Sequence, residues 1–169
     1  MNGIDSVLAE FRKWAAVENL QLGEIEVESL GVPHRPTPLR TGCQGVYMFR
    51  LGEVWLKVGK AGPHSLARWT SHHYGVTRAM STLAWSLFQY GHVSTFEHPD
   101  LPQGLRPQLK SVHPDAIGDW IKQHTARLNI TIRAELGALA LDRLESIARD
   151  VLHPVFEGRW DPSARQQRG

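Results

Sequence analysis

Tyr47, Lys57, Arg68, His72 and Glu145 of this 169-residue chain are side chains of types that phosphodiester hydrolysis can use. That reaction needs a water that loses a proton and donors for the charge building on the non-bridging oxygens. It also needs a cation or an acid for the leaving 3′ oxygen. Tyr47 is a candidate base, although a phenol with a pKa of about 10 keeps its proton at neutral pH. A neighbouring lysine, Lys57, would favour the phenolate or itself orient or activate the water. Arg68 offers planar donors to a phosphate, and His72 can shuttle a proton to or from Tyr47 or the water. Glu145 offers a hard oxygen to one Mg²⁺ and leaves positions open for water and phosphate. Plainer roles exist for each group. Tyr47 can pack as a strand aromatic beside Phe49, and Glu145 can pair within its helix with Arg149, four residues on.

These groups are useful only if the chain brings them together, and the patterning predicts the elements that would. Gly45–Arg50 and Val54–Gly59 read as a hairpin around Leu51-Gly52-Glu53. A three-residue loop would pair Tyr47 with Lys57, Phe49 with Trp55, Met48 with Leu56 and Val46 with Val58. Aliphatic pairs then share one face and the aromatic and polar pairs the other, whereas a one-residue slip would mix them. Residues 65–74 read as a helix that Gly75 stops, which places Arg68 and His72 on one face. A helix near 77–90 would turn Met80, Leu83, Ala84, Leu87 and Phe88 inward. Residues 91–114 read as a long loop, and Pro114 opens a helix to about 126. Leu128, Ile130 and Ile132 alternate as a third strand.

The last helix spans about 137–152, with Leu141, Leu144, Ile147, Ala148, Val151 and Leu152 forming one apolar stripe. Glu145 lies at the edge of that stripe, where a carboxylate is partly desolvated unless a cation meets it. Gly59 and Lys60 close the hairpin's second strand, placing a second cation beside a backbone that another group can approach closely.

Before the hairpin, Val7, Leu8, Phe11, Trp14 and Ala15 mark a helix capped by Asp5 or Ser6. Residues 23–28 alternate as a short strand, and Pro33, Pro36 and Pro38 form a linker. The chain therefore divides into a helical extension with its linker over 1–40, a domain over 41–160 with an insert near 91–127, and a tail over 161–169.

With 41% hydrophobic and 21% charged residues, the chain can bury an ordinary core, which excludes a wholly disordered segment or a coiled-coil rod. No apolar run is long enough to span a membrane. The first residues lack the basic and apolar pattern of a secretory signal. Cys43, the single cysteine, excludes an internal disulfide and a multi-cysteine zinc site, so a reducing cytoplasm is the expected compartment. It has no conspicuous histidine partner in sequence and is not read as a nucleophile. The net charge of +2 hides an uneven distribution: residues 41–110 hold seven Lys/Arg against three Asp/Glu. Such a patch attracts phosphates locally.

Gly45-Val46-Tyr47, followed about ten residues later by Lys57-Val58-Gly59, resembles the GIY-YIG nuclease family. Arg68 and His72 on the next helix strengthen the likeness. So does Glu145 followed by Pro154 and Glu157, at the spacing of a signature similar to Glu-x8-Pro-x2-Asn. The likeness covers residues 44–75 and about 128–157. It implies an α+β fold with a small, mainly antiparallel three-stranded sheet flanked by helices. It also implies an endonuclease acting on DNA, with Mg²⁺ or Mn²⁺ on Glu145 and Gly59, Lys60 and Glu157 beside the substrate. Val46 stands where the family has Ile. Lys57 replaces the second tyrosine, as in some restriction-enzyme branches, and Glu157 in place of Asn brings charge and loses amide donors.

Two other classes fit the same residues: a nucleic-acid-binding module that has lost activity, and a regulatory protein that docks through its acidic N-terminal segment. A homodimer would explain how so short a nuclease cuts both strands. Trp69, Trp85 and Trp120 read as core, and His73 as packing or surface, because it points away from His72. His92, His98, His113, His124 and His153 show no ligand spacing.

Overall fold

The computed structural model describes residues 3–76 and 82–157. The expected helix positions 77–81, Met80 included, and the tail from 158 onward lie outside the described residues.

The fold is α+β. Its strands are β1 (Glu26–Ser29), β2 (Cys43–Leu51), β3 (Val54–Ala61) and β4 (Ala126–Arg133). They form one antiparallel sheet in the order β1-β4-β2-β3. The sheet therefore has four strands where three were expected. The alternation before the linker adds an outer strand, with Val27 opposite Ile130 on β4.

Helices cover both faces of the sheet, so β2 carries an unbroken buried run, Val46 through Phe49, in place of an alternating one. On one face, α1 (Gly3–Val17) and α6 (Gly137–Leu152) pack Val7, Phe11, Leu144 and Ala148 against Val46, Met48, Val58 and Ile130. The other face carries α2 (Leu66–Thr70), α3 (Leu83–His92), α4 (Leu105–Lys110) and α5 (Ile117–His124). There Tyr47 and Phe49 meet Trp69, Leu83, Leu87 and Ile117. Each fully buried large side chain, such as Phe11, contributes on the order of 2 kcal/mol by leaving water. Residues 3–40, set apart on composition, thus lend side chains to this same structure: α1 completes one core, and His34 is buried against α5 and β4. Among the described residues, no helix is long and apolar enough to cross a membrane.

Four local readings change. The loop expected over 91–114 contains α4, and the helix expected from Pro114 to about 126 is a 3₁₀ turn, Pro114–Ala116, followed by α5.

The hairpin turns on two residues, Gly52 and Glu53, with Leu51 opposite Val54 and Gly52 at φ 57°. Phe49 faces Lys57 and Arg50 faces Trp55, leaving Leu56 as the extra residue of a bulge. Beyond the bulge Tyr47 lies opposite Gly59, so the expected Tyr47–Lys57 pair does not form. A two-residue turn alone would have exchanged the faces. The bulge restores them, and Tyr47, Phe49, Lys57 and Gly59 share one face.

The helix expected over 65–74 ends at Thr70 and gives way to a 3₁₀ turn, His72–Tyr74. Thr70 Oγ1 and Ser71 Oγ donate to the carbonyls of Leu66 and Ala67 at 2.9 and 3.0 Å, local bonds that bend a helix end. The break removes His72 from the face of Arg68 and turns His73 inward.

Candidate active site

Strand β3 is the sheet's edge, and a small hollow of about 130 Å³ lies against it. Tyr47 reaches it from β2, Lys57 and Gly59 from β3, Arg68 from α2, Glu145 and Arg149 from α6, and Glu157 from the segment after α6. Six of the expected site residues therefore converge. His72, half buried, does not line the hollow, and His73 takes its place there. Lys60 stands next to the hollow, its ammonium 2.7 Å from Glu145 Oε2.

His73 fixes how the tyrosine hydroxyl is used. It is buried, and desolvation together with the charges of Lys57 and Arg127 holds its pKa well below 6.5. The ring is therefore neutral at pH 7 and carries one proton. The Leu83 N–H donates to Nδ1 at 3.2 Å, which leaves that proton on Nε2. Nε2–H then donates to Tyr47 Oη at 2.5 Å. Burial pushes the Tyr47 pKa up, while the charges of Arg68 and Arg127 pull it back in part. A phenol that accepts from His73 has its own proton left to donate, so this geometry suits a donor to phosphate better than a base. Gly59 is required here. An added Cβ would lie 2.5 Å from Tyr47 Cε2 and 2.6 Å from its hydroxyl.

Lys57 is the other base candidate, and its surroundings favour it. The side chain is buried, and desolvation lowers its pKa, partly offset by Glu157 and Glu145. Its ammonium donates to the Phe156 carbonyl at 2.7 Å. That contact belongs to a clasp in which the segment after α6 covers the edge of β3. The Val155 and Phe156 N–H groups donate to the Trp55 and Leu56 carbonyls at 3.0 and 2.9 Å. Glu157 completes the clasp by accepting from the Val58 N–H at 3.2 Å, and its other oxygen lies 3.6 Å from Arg149. Burial raises the Glu157 pKa. A residue expected beside the substrate thus also anchors the chain.

The in-helix pair between Glu145 and Arg149 does not form; Glu145 pairs with Lys60 and Arg149 with Glu157. Among the described residues, no group of three or more His, Cys, Asp and Glu could cage a metal. The donors at the hollow are the hard oxygens of Glu145 and, nearby, Glu157. They suit a cation that takes one or two carboxylates and fills its other positions with water and phosphate, as Mg²⁺ does.

One residue of this face went unread in the sequence. Arg127 on β4 is 1% exposed, with its guanidinium 5.2, 5.6 and 5.1 Å from the ring centres of Tyr47, Phe49 and Trp69. It donates to Asn129 Oδ1 at 2.9 Å and to Tyr74 Oη at 3.3 Å, and Nη2 meets no acceptor among the described residues. Tyr74 in turn donates to Nε2 of His34, whose Nδ1–H donates to the Thr125 carbonyl, at 2.8 and 2.6 Å. The signal lies in the odd positions of β4, where polar residues alternate with Leu128, Ile130 and Ile132.

Both buried histidines make stability depend on pH. Their folded pKa values lie below 6.5, so the unfolded chain binds protons first as pH falls. Stability should therefore drop as pH is lowered from about 6.5 towards the folded values, by at most about 1.4 kcal/mol per pH unit for each histidine. Urea midpoints at pH 7 and 5 measure this, and His73→Gln should show the shallower dependence.

None of the protein-family profiles, curated proteins or solved structures compared with the chain matches it.

Proposed function

We propose that this protein is a metal-dependent endonuclease that hydrolyses DNA phosphodiester bonds at the hollow beside β3. The observation that carries the reading is the convergence of Tyr47, Lys57, Arg68 and Glu145, from four separate elements, on that one hollow. A buried lysine, a guanidinium and a phenol with its proton available are complementary to a phosphate and an attacking water. In this reading Glu145 holds Mg²⁺ or Mn²⁺, which when bound stabilises charge on the phosphate and on the leaving oxygen.

The remaining work falls to the chain's own groups. Lys57, as the neutral amine that burial favours, takes the proton of the attacking water. Arg68 donates to the non-bridging oxygens. Tyr47 donates its hydroxyl proton in a hydrogen bond to the phosphate, and His73 holds it there. Arg149 adds positive charge beside the strand. The lone Cys43 is free, and the cytoplasm remains the compartment we assign. Cutting both strands would call for a second copy of the chain or for two successive nicks.

The test is incubation of the protein with Mg²⁺ or Mn²⁺ and end-labelled single-stranded DNA, duplex DNA and RNA, with the products mapped. Metal-dependent internal cleavage of DNA is expected. Binding without cleavage in either metal would favour a nucleic-acid-binding module on the same scaffold. Tight protein binding with no affinity for nucleic acid would favour a docking protein.

A further inference from the structure

We propose that Lys60 is a resident counter-ion that occupies the metal-binding carboxylate in the DNA-free protein and must leave before a divalent cation binds. The inference rests on Glu145 being the metal ligand of the proposed nuclease.

Glu145 is only 12% exposed in its side chain, and a carboxylate so far out of water is costly unless a cation meets it. Arg149, the cation four residues on along the same helix, has turned to Glu157 at 3.6 Å. Lys60 meets the requirement instead, 2.7 Å from Glu145 Oε2 and 2.9 Å from Asp142 Oδ1. A fully exposed ion pair of this kind would be worth little. Here one partner is nearly buried, and the ammonium is held between two carboxylates one turn apart on α6.

A divalent cation approaching Glu145 therefore meets a carboxylate already neutralised and a like charge at contact distance. The lysine itself can move. Its side chain is 32% exposed, and Asp142, at 57%, is a solvent-weakened second anchor. Lysine is a point charge on a flexible stem, so it can swing to a phosphate without disturbing β3. A DNA phosphate at the hollow offers it that partner and offers the metal an oxygen in its place. Metal and DNA should then each tighten the other's binding by the same factor. The arrangement keeps the cleavage site from loading fully until substrate is present.

The test is titration of the DNA-free protein with Mn²⁺, followed by electron paramagnetic resonance, for the wild type, Lys60→Met, Lys60→Arg and Glu145→Gln. Removing the ammonium should tighten Mn²⁺ binding by roughly tenfold, Lys60→Arg should bind as weakly as the wild type, and Glu145→Gln should bind none. Lys60→Gln carries the same expectation as Lys60→Met if the latter does not fold. Equal affinity in the wild type and the neutral variants, with loss in Glu145→Gln, overturns the counter-ion role and leaves the metal site standing. Mn²⁺ binding that survives Glu145→Gln, or no binding by any variant, overturns both.

Discussion

Glu145→Gln should lower DNA cleavage by about a thousandfold or more while the protein stays folded and still binds DNA. A Lewis acid at the phosphate is worth several kcal/mol of transition-state charge, and each ~1.4 kcal/mol is a factor of ten in rate. Glutamine keeps the shape of the side chain and an oxygen that accepts from Lys60, but it is a poor ligand for a hard dication. Stability should change by no more than about 1 kcal/mol, because the Lys60 partner is itself partly solvated. Without metal, DNA affinity should hold or rise, since a negative charge has left the neighbourhood of the phosphate, and the variant should lack the gain in affinity that Mg²⁺ gives the wild type. Gel-based cleavage rates, a thermal melt and a binding titration together check this. Undiminished cleavage would remove Glu145 as the metal ligand.

Lys57→Met should cost about 10²–10⁴ in cleavage rate and should change the shape of the pH profile. Desolvation lowers the Lys57 pKa from 10.5, so the neutral amine gains population as pH rises towards that lowered value. The wild-type rate should rise along that limb and level off before 10.5, whereas the methionine variant should lack the limb. Lys57→Arg sharpens the test, because a guanidinium keeps the charge and cannot yield its proton. An arginine variant with near-normal activity would make Lys57 an electrostatic donor to the phosphate and not a base.

Stability carries an independent signature of the same group. With its folded pKa below its unfolded one, Lys57 binds its proton more tightly in the unfolded chain. The fold therefore gains stability as pH climbs from the lowered pKa towards 10.5. Lys57→Met should lose that pH-dependent gain together with the charged hydrogen bond to the Phe156 carbonyl, at a cost of about 1–3 kcal/mol.

The legible parts of the site share a physical basis. Glu145 was placed by helical periodicity, and α6 spans the expected residues with its stripe buried except for the half-buried Val151. Tyr47 and Lys57 were assigned to one sheet face, and they lie on one face. Their pairing was not legible, because a bulge at Leu56 adds a residue that no alternation of residue types marks. Which histidine reaches the hollow was not legible for a related reason. Arg68 and His72 share a face only if the helix continues, and whether Thr70 and Ser71 turn their hydroxyls onto the preceding carbonyls is decided by the folded backbone.

Arg127 was illegible for a different reason. A charged residue in a strand reads as solvent-facing, and only the packing of Tyr47, Phe49 and Trp69 around it shows that the layer over β4 is closed. Periodicity, turn chemistry and charge distribution act between neighbours in the chain, so the sequence alone determined the α+β class, the last helix, the hairpin and the residue types at the hollow. Bond partners, protonation and burial depend on residues about 26 to 99 apart in the chain, as with Tyr47 and His73 or Lys57 and Phe156. Only the tertiary structure could decide which histidine holds the tyrosine and which cation sits on Glu145.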